Sequence, residues 1–307
     1  MRQLDLAWLR YSLRCVESPV EREGLAATGD GRKLAYLDRG AQKDPAVVFL
    51  HGTPGSRYAR HPDDRVYEGL RVISYDRPGY GRSDPQPGRN VAGAARDVGA
   101  LADGLDLKQF AVLGVSGGGP HALACAALFP ERVTRVAVLV GPAPCNDPEF
   151  DALAGMNDLN VRGVTAARTS PEAYLDFLRP YVDMIKQNPD TMIDTLAAEV
   201  PDSDRAVLAR ADARARLRLN WGQAVAQDAR GWMDDGLALV SGWGFDLADI
   251  ACEVRLWQGE LDVLVPRSHG EYLASRIPQA AFEIVPGEGH MIFGHWRTAF
   301  EWLTDSL

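Results

Sequence analysis

Positive charge is in short supply in this 307-residue chain: 33 lysines and arginines face 42 aspartates and glutamates, for a formal net charge of −9. A nucleic-acid footprint needs a basic face, and an anionic membrane surface repels such a chain, so neither is expected as a partner. A small molecule, neutral or cationic, is the expected one. Cysteine is also scarce. Cys15, Cys125, Cys145 and Cys252 are scattered with no C-x-x-C pair, which argues against a disulfide framework and leaves a reducing cytoplasm as the expected location. Cys125, in an apolar helical stretch, reads as a buried thiol. Long apolar runs are missing at the start, where MRQLDLAWLRYSLRCVESP is broken by Arg2, Asp5, Arg10 and Arg14. That excludes a secretory h-region or a spanning helix there and suggests a short amphipathic helix packed on the domain. The sequence has no internal repeat, low-complexity segment, metal-ligand constellation or dinucleotide fingerprint, so no cofactor and no metal are expected.

What the chain does have is apolar material, 46% of its residues, enough for one large core with an insertion. Residues 21–40 suggest two antiparallel strands joined at Gly29-Asp30-Gly31. The stretches AVVFL (46–50), RVISY (71–75), QFAVLGV (109–115) and RVAVLV (135–140) are near-continuous runs rich in β-branched residues. Such strands are buried on both faces of a parallel sheet. Helical patterns at 92–105 and 121–129 alternate with them, and the pattern resumes with VRLWQ (254–258), a helix near 269–277, AFEIV (281–285) and a last helix over 293–307. The expected fold class is α/β, a doubly wound, mostly parallel sheet. Between about Pro142 and Asp249 the strand signal stops, and 171–187, 202–225 and 231–242 read as helices. The expected organisation is a core over 1–141 and 250–307, interrupted by a helical cap over 142–249; monomer and homodimer stay open.

Chemistry is suggested first by LGVSGGGPHA (113–122), where Ser116 stands among glycines between a buried strand and a helix. Gly114-Val115-Ser116-Gly117-Gly118 matches G-x-S-x-G, and the strand-turn-helix context is what a nucleophile elbow requires. A serine hydroxyl is a weak nucleophile without a base to take its proton and an acid to orient that base. In this context both should follow the serine in the chain. Of the histidines beyond the insertion, His290 closes the turn PGEGH after a strand, whereas His269 and His295 fall in helical patterns and read as structural. His121, the nearest in sequence, also reads as structural. For the acid, Asp262 lies in the loop at the end of VRLWQ; Glu260 reads as a solvated charge, and Asp147, beyond RVAVLV, is the alternative. The developing oxyanion needs two backbone donors, for which the amides of Gly117 and of Thr53, in the loop HGTPGS (51–56), are the candidates.

With HGTPGS (51–56), YDRPGYGRSDP (75–85), GVSGGG (114–119), GELDVLVP (259–266) and PGEGHMIF (286–293), the chain resembles a capped, serine-nucleophile member of the α/β-hydrolase superfamily. That resemblance implies an eight-stranded sheet, a Ser116/Asp262/His290 triad, an oxyanion hole from Thr53 and Gly117, and His51 and Gly52 shaping the hole. For Arg77 and Asp84 it implies a structural ion pair or turn before a substrate contact. A serine at the elbow, where similar dehalogenases and epoxide hydrolases have aspartate, points to acyl transfer. The expected function is hydrolysis of a small, moderately apolar ester or lactone through an acyl-enzyme. The alternatives are an aminopeptidase or amidase of the proline iminopeptidase type, whose loops are similar but which carries a tryptophan where Gly117 stands, and a non-catalytic ligand-binding relative. In the cap, Met156, Tyr174, Phe177, Tyr181, Met184, Trp221, Trp232 and Trp243 are expected mostly to pack cap on core, a minority lining a pocket. Glu199, Asp202, Asp204, Asp234 and Asp235 are expected to form solvated helix faces.

Overall fold

The structure, a computed structural model, describes residues 20–305; the helix expected over 1–19 lies outside the described residues. Eight strands form one sheet: β1 (Glu21–Ala27), β2 (Lys33–Arg39), β3 (Ala46–Leu50), β4 (Arg71–Tyr75), β5 (Phe110–Val115), β6 (Val133–Leu139), β7 (Glu253–Gly259) and β8 (Ala280–Val285). Their order is β1-β2-β4-β3-β5-β6-β7-β8. The β1-β2 and β2-β4 pairs are antiparallel and all the others parallel, as the alternating and the continuous apolar patterns respectively suggest.

Side-chain alternation along the central strands fills two cores. Val48 and Leu50 of β3, Val112 of β5 and Val138 of β6 face one side, where α1 (Val91–Gly104), α2 (Gly118–Leu128) and α9 (Arg267–Arg276) cover them. Val47 and Phe49 of β3, Leu113 of β5 and Leu139 of β6 face the other, covered by α10 (Trp296–Thr304). Each such side chain taken fully out of water contributes about 1.5–3 kcal/mol, and a strand buried on both faces collects that gain at every residue. The chain leaves β3 to form β4 on one side and returns to form β5 on the other. This reversal opens a crevice at the carboxyl ends of β3 and β5, where open α/β sheets place their ligands.

Six helices are inserted between β6 and β7: α3 (Asp158–Thr169), α4 (Pro171–Gln187), α5 (Pro189–Ala198), α6 (Asp202–Leu208), α7 (Ala211–Ala224) and α8 (Arg230–Val240). The helix expected over 202–225 is in fact two. Asp204 and Leu208 face inward on α6, and the next inward residue, Ala213, comes five positions later. A break at Ala209-Arg210 resets the phase so that both helices present their buried faces to the same side. The end of the insertion belongs to the sheet: Ala238, Trp243 and Leu247 lie in the same cluster as α1 and α2. Among the described residues, no helix is long and apolar enough to cross a membrane.

Candidate active site

Ser116 follows β5 directly with φ +52°, left-handed backbone that costs an L-residue about 1–2 kcal/mol. The turn is held by Ser116 N donating to Leu139 O at 2.8 Å and Gly119 N donating to Ser116 O at 2.8 Å. Its closeness explains two glycines: a Cβ on Gly114 would meet Gly118 O at 2.5 Å and Ala122 Cβ at 2.8 Å, and one on Gly118 would run into Leu50 O. With α2 starting at Gly118, the Gly117 amide sits at the positive end of an eleven-residue helix.

The β3 loop approaches that amide from the other side. A Cβ built on Gly117 would collide with Thr53 Oγ1 and lie 3.3 Å from Thr53 N, so only glycine lets the Thr53 loop come this close. Neither amide donates to a protein acceptor among the described residues. Arg77 holds the loop in place, Nη1 donating to His51 O at 2.5 Å and Nη2 to Gly52 O at 3.0 Å. His51 itself donates from Nδ1 to Gly52 O at 2.7 Å, and burial, with the Arg77 charge beside it, pushes its pKa well below the usual histidine value.

His290 Nδ1 lies 2.7 Å from Asp262 Oδ2. The Asp262 carboxylate is fixed by Leu264 N at 2.8 Å, Val265 N at 2.9 Å and Gln258 Nε2 at 2.9 Å. The turn Leu261–Val265 thus wraps its own amides around the acid. Burial lowers the His290 pKa, but the adjacent Asp262 charge and hydrogen bond outweigh it and the net shift is upward. His290 and Ser116 line one cavity of about 350 Å³ together with Gly52, Thr53 and Gly117. No hydrogen bond joins Ser116 Oγ to the ring; such contacts commonly tighten only in the reacting complex.

A family model described as alpha/beta hydrolase fold matches residues 45–294. The chain belongs to the α/β-hydrolase family. Curated relatives include a non-heme chloroperoxidase from Streptomyces lividans, 41% identical over 127 residues, which are 39% of this chain and 45% of that protein. A 2-hydroxy-6-oxononadienedioate/2-hydroxy-6-oxononatrienedioate hydrolase from Paraburkholderia xenovorans is 26% identical over 88% of each chain. The chain thus spans less than half of the first relative and most of the second. Among solved structures, the enol-lactonase from Burkholderia xenovorans LB400 aligns with a TM-score of 0.65 at 21% identity, over 92% of this chain and all of that one. A thermophilic esterase from Thermogutta terrifontis aligns at 0.64 and 20%, over 93% and 96%.

Of the chain's other singled-out residues, most meet the expectations and three acids depart from them. Asp147, the alternative acid, bonds instead with Tyr272 and lies 3.7 Å from Arg276, away from His290. His269 is spent on Ala143 N and Ala152 O at 2.9 and 3.0 Å, and His121 is buried at 3.3 Å from Asp235. Glu199 and Asp202 are exposed as expected, but Asp204, Asp234 and Asp235 are buried, and the solvated-face reading fails for them. Asp235, on α8, is fully buried and accepts from Arg77 Nη2 at 2.6 Å, Arg89 Nη2 at 2.7 Å, Tyr80 OH at 3.2 Å and the Thr53 hydroxyl. Burial alone would raise its pKa; the two guanidiniums hold it well below the usual carboxylate range. Arg77 is therefore the structural ion pair expected, with a partner in the insertion. Asp84 is also structural, accepting from Lys33 N at 2.8 Å.

Asp204, on α6, accepts the backbone N–H of His290 at 2.8 Å and of Met291 at 2.9 Å. Sequence reasoning missed both anchors. For Asp235 the available signal was an acidic pair inside the apolar stretch GWMDDGLALV, since a charge on an otherwise buried face implies a partner; Asp204, in the charge-rich stretch from 202, carried no such signal. The apolar residues were under-read as well: Met156, Tyr174, Phe177, Tyr181, Trp221 and Trp232 all line the cavity, and only Met184 and Trp243 of the eight do not. Among the described residues, no cluster of three His, Cys, Asp or Glu is arranged to hold a metal ion.

Proposed function

We propose that this α/β hydrolase is a serine hydrolase that cleaves a small, moderately apolar ester or lactone through an acyl-enzyme. Ser116 is the nucleophile, His290 the general base and then acid, and Asp262 the group that keeps the His290 proton on Nδ1. The observation that carries this reading is the 2.7 Å contact between His290 Nδ1 and Asp262, which leaves Nε2 as the proton acceptor in the cavity shared with Ser116. Ser116 Oγ attacks the carbonyl carbon while its proton passes to Nε2. The oxyanion is met by the amides of Thr53 and Gly117, and each such donor is worth about 3 kcal/mol in the transition state. Collapse expels the alcohol, which takes the proton from Nε2. Water, deprotonated by the same nitrogen, then attacks the acyl-serine and releases the acid.

The apolar walls and a volume of about 350 Å³ suit a small ester or lactone. The aminopeptidase reading lacks support, because among the described residues no aspartate or glutamate lines the cavity to receive a substrate amine, and Thr53 occupies the space a larger side chain at 117 would need. A fluorophosphonate probe tests the proposal. The wild type should be labelled and Ser116→Ala should not; equal labelling, or none in either, overturns it and leaves the ligand-binding relative. Preference for aminoacyl p-nitroanilides over p-nitrophenyl esters would restore the aminopeptidase.

A further inference from the structure

Two arginines, Arg60 and Arg216, line a cavity whose other walls are mostly apolar. They come from elements that are tied together. Ser56, four residues before Arg60, donates from N to Asn220 Oδ1 at 2.8 Å and from Oγ to Asn220 O at 3.0 Å. Asn220 is four residues after Arg216 on α7, so the two arginines sit one step along from this anchor, on the loop side and the helix side of the same seam. The anchor also connects them to the loop that carries Thr53.

The acidic partners do not use up this charge. Arg39, Arg60 and Arg216 share two carboxylates, Glu21 and Asp64, both partly exposed to solvent. Arg39 Nη1 takes Asp64 Oδ1 at 3.0 Å, which leaves Arg216 Nη2 at 3.3 Å and Arg60 Nε at 4.0 Å from the same atom. Arg60 Nη1 reaches Glu21 at 2.5 Å, but Arg60 Nε is buried and has no hydrogen-bond partner among the described residues. Counted over the described residues, these three arginines and two carboxylates leave one positive charge at the wall of an apolar cavity. Burial and the neighbouring Arg60 together push Arg216 below the usual arginine value, the condition a bound anion would relieve. The net charge of −9 does not oppose this, since recognition at contact depends on the local groups.

We propose that Arg60 and Arg216 form a carboxylate subsite in the catalytic cavity, so that the preferred substrates are esters bearing a second, free carboxylate, such as half-esters of dicarboxylic acids. This rests on the serine-hydrolase reading. Guanidinium matches carboxylate geometry with paired N–H donors, and the single surplus charge suits a monoanion. The apolar walls would hold the methylene chain between the two ends.

The test compares monomethyl adipate with methyl hexanoate, which has the same six-carbon acyl chain with a methyl group in place of the carboxylate, and extends to half-esters from succinate to suberate. The wild type should favour at least one half-ester over its neutral counterpart by about tenfold or more in kcat/KM. Arg216→Gln and Arg60→Gln should each reduce that ratio about tenfold, mainly through KM. Arg218→Gln, which removes the same charge from an exposed site on α7, should keep it. If no half-ester is favoured, or if the preference survives both cavity substitutions, the subsite is overturned while the serine-hydrolase reading stands. If no ester is hydrolysed, that reading falls, and the subsite is judged by calorimetry of the free dicarboxylates on Ser116→Ala. Binding that Arg216→Gln abolishes supports it; no binding, or binding that Arg216→Gln leaves intact, overturns it.

Discussion

Ser116 is held at φ +52°, and that strain exposes its hydroxyl at the end of β5. The cost follows the Cβ, so alanine at 116 keeps it and glycine does not. Ser116→Gly is expected to unfold at higher urea than Ser116→Ala, by about 0.5–1 kcal/mol once glycine's greater unfolded-state entropy is subtracted, with both variants inactive. His290 makes a second prediction at this scale. As the proposed general base it must be neutral, and Asp262 raises its pKa above 6.5, so kcat/KM should climb with pH through a midpoint above that value. The stability sign runs the other way. The imidazolium–Asp262 pair stabilises the fold fully below about 6.5, and that contribution is lost as pH rises through the raised pKa. Asp262→Asn should move the rate midpoint down and lower kcat on the order of 10⁴-fold, seen in a pH–rate profile. These residues were legible because each falls in a short stretch whose chemistry is local: glycines around a serine, an acid in the loop after a strand, a histidine closing a glycine turn.

At the scale of elements, α8 does more than cover the cavity. Through Asp235 it supplies the counter-charge for Arg77 and Arg89, and Arg77 in turn holds the carbonyls of His51 and Gly52. Asp235→Asn would leave two buried guanidiniums without a carboxylate, and a loss of about 3–5 kcal/mol is expected in urea unfolding. Asp202→Asn, on an exposed i,i+3 pair of α6, should change stability by no more than about 0.5 kcal/mol. The elements differed in legibility. The bounds of β3, β4 and α4 coincide with the stretches read from sequence, because a continuous β-branched run and a Pro-led amphipathic run are strong local signals. The separation of α6 from α7 was not visible, since no glycine or proline marks it; what ends α6 is the direction in which Asp204, Leu208 and Ala213 must face.

For the whole molecule, the reading makes chemistry depend on side chains and backbone amides from widely separated parts of one chain. Hydrolysis in excess EDTA is therefore expected to run at the rate measured without it, and a chelator-sensitive kcat would contradict that. The net charge also carries no information about which charged residues packing brings to the cavity wall. Arg60 and Arg216 come from the loop after β3 and from α7, and only the Ser56–Asn220 hydrogen bonds set their two elements side by side.

The mostly parallel sheet, the serine turn and the choice of Asp262 and His290 as candidates could all be read from the sequence, because strand burial, tight turns and loop chemistry are written in residues a few positions apart. Tertiary structure alone decided which charges are buried and what they touch. Asp204 and Asp235 read as solvated helix charges until packing removes water from around them, and a charge out of water takes its meaning from partners far along the chain, as Asp235 does from Arg77, 158 residues away.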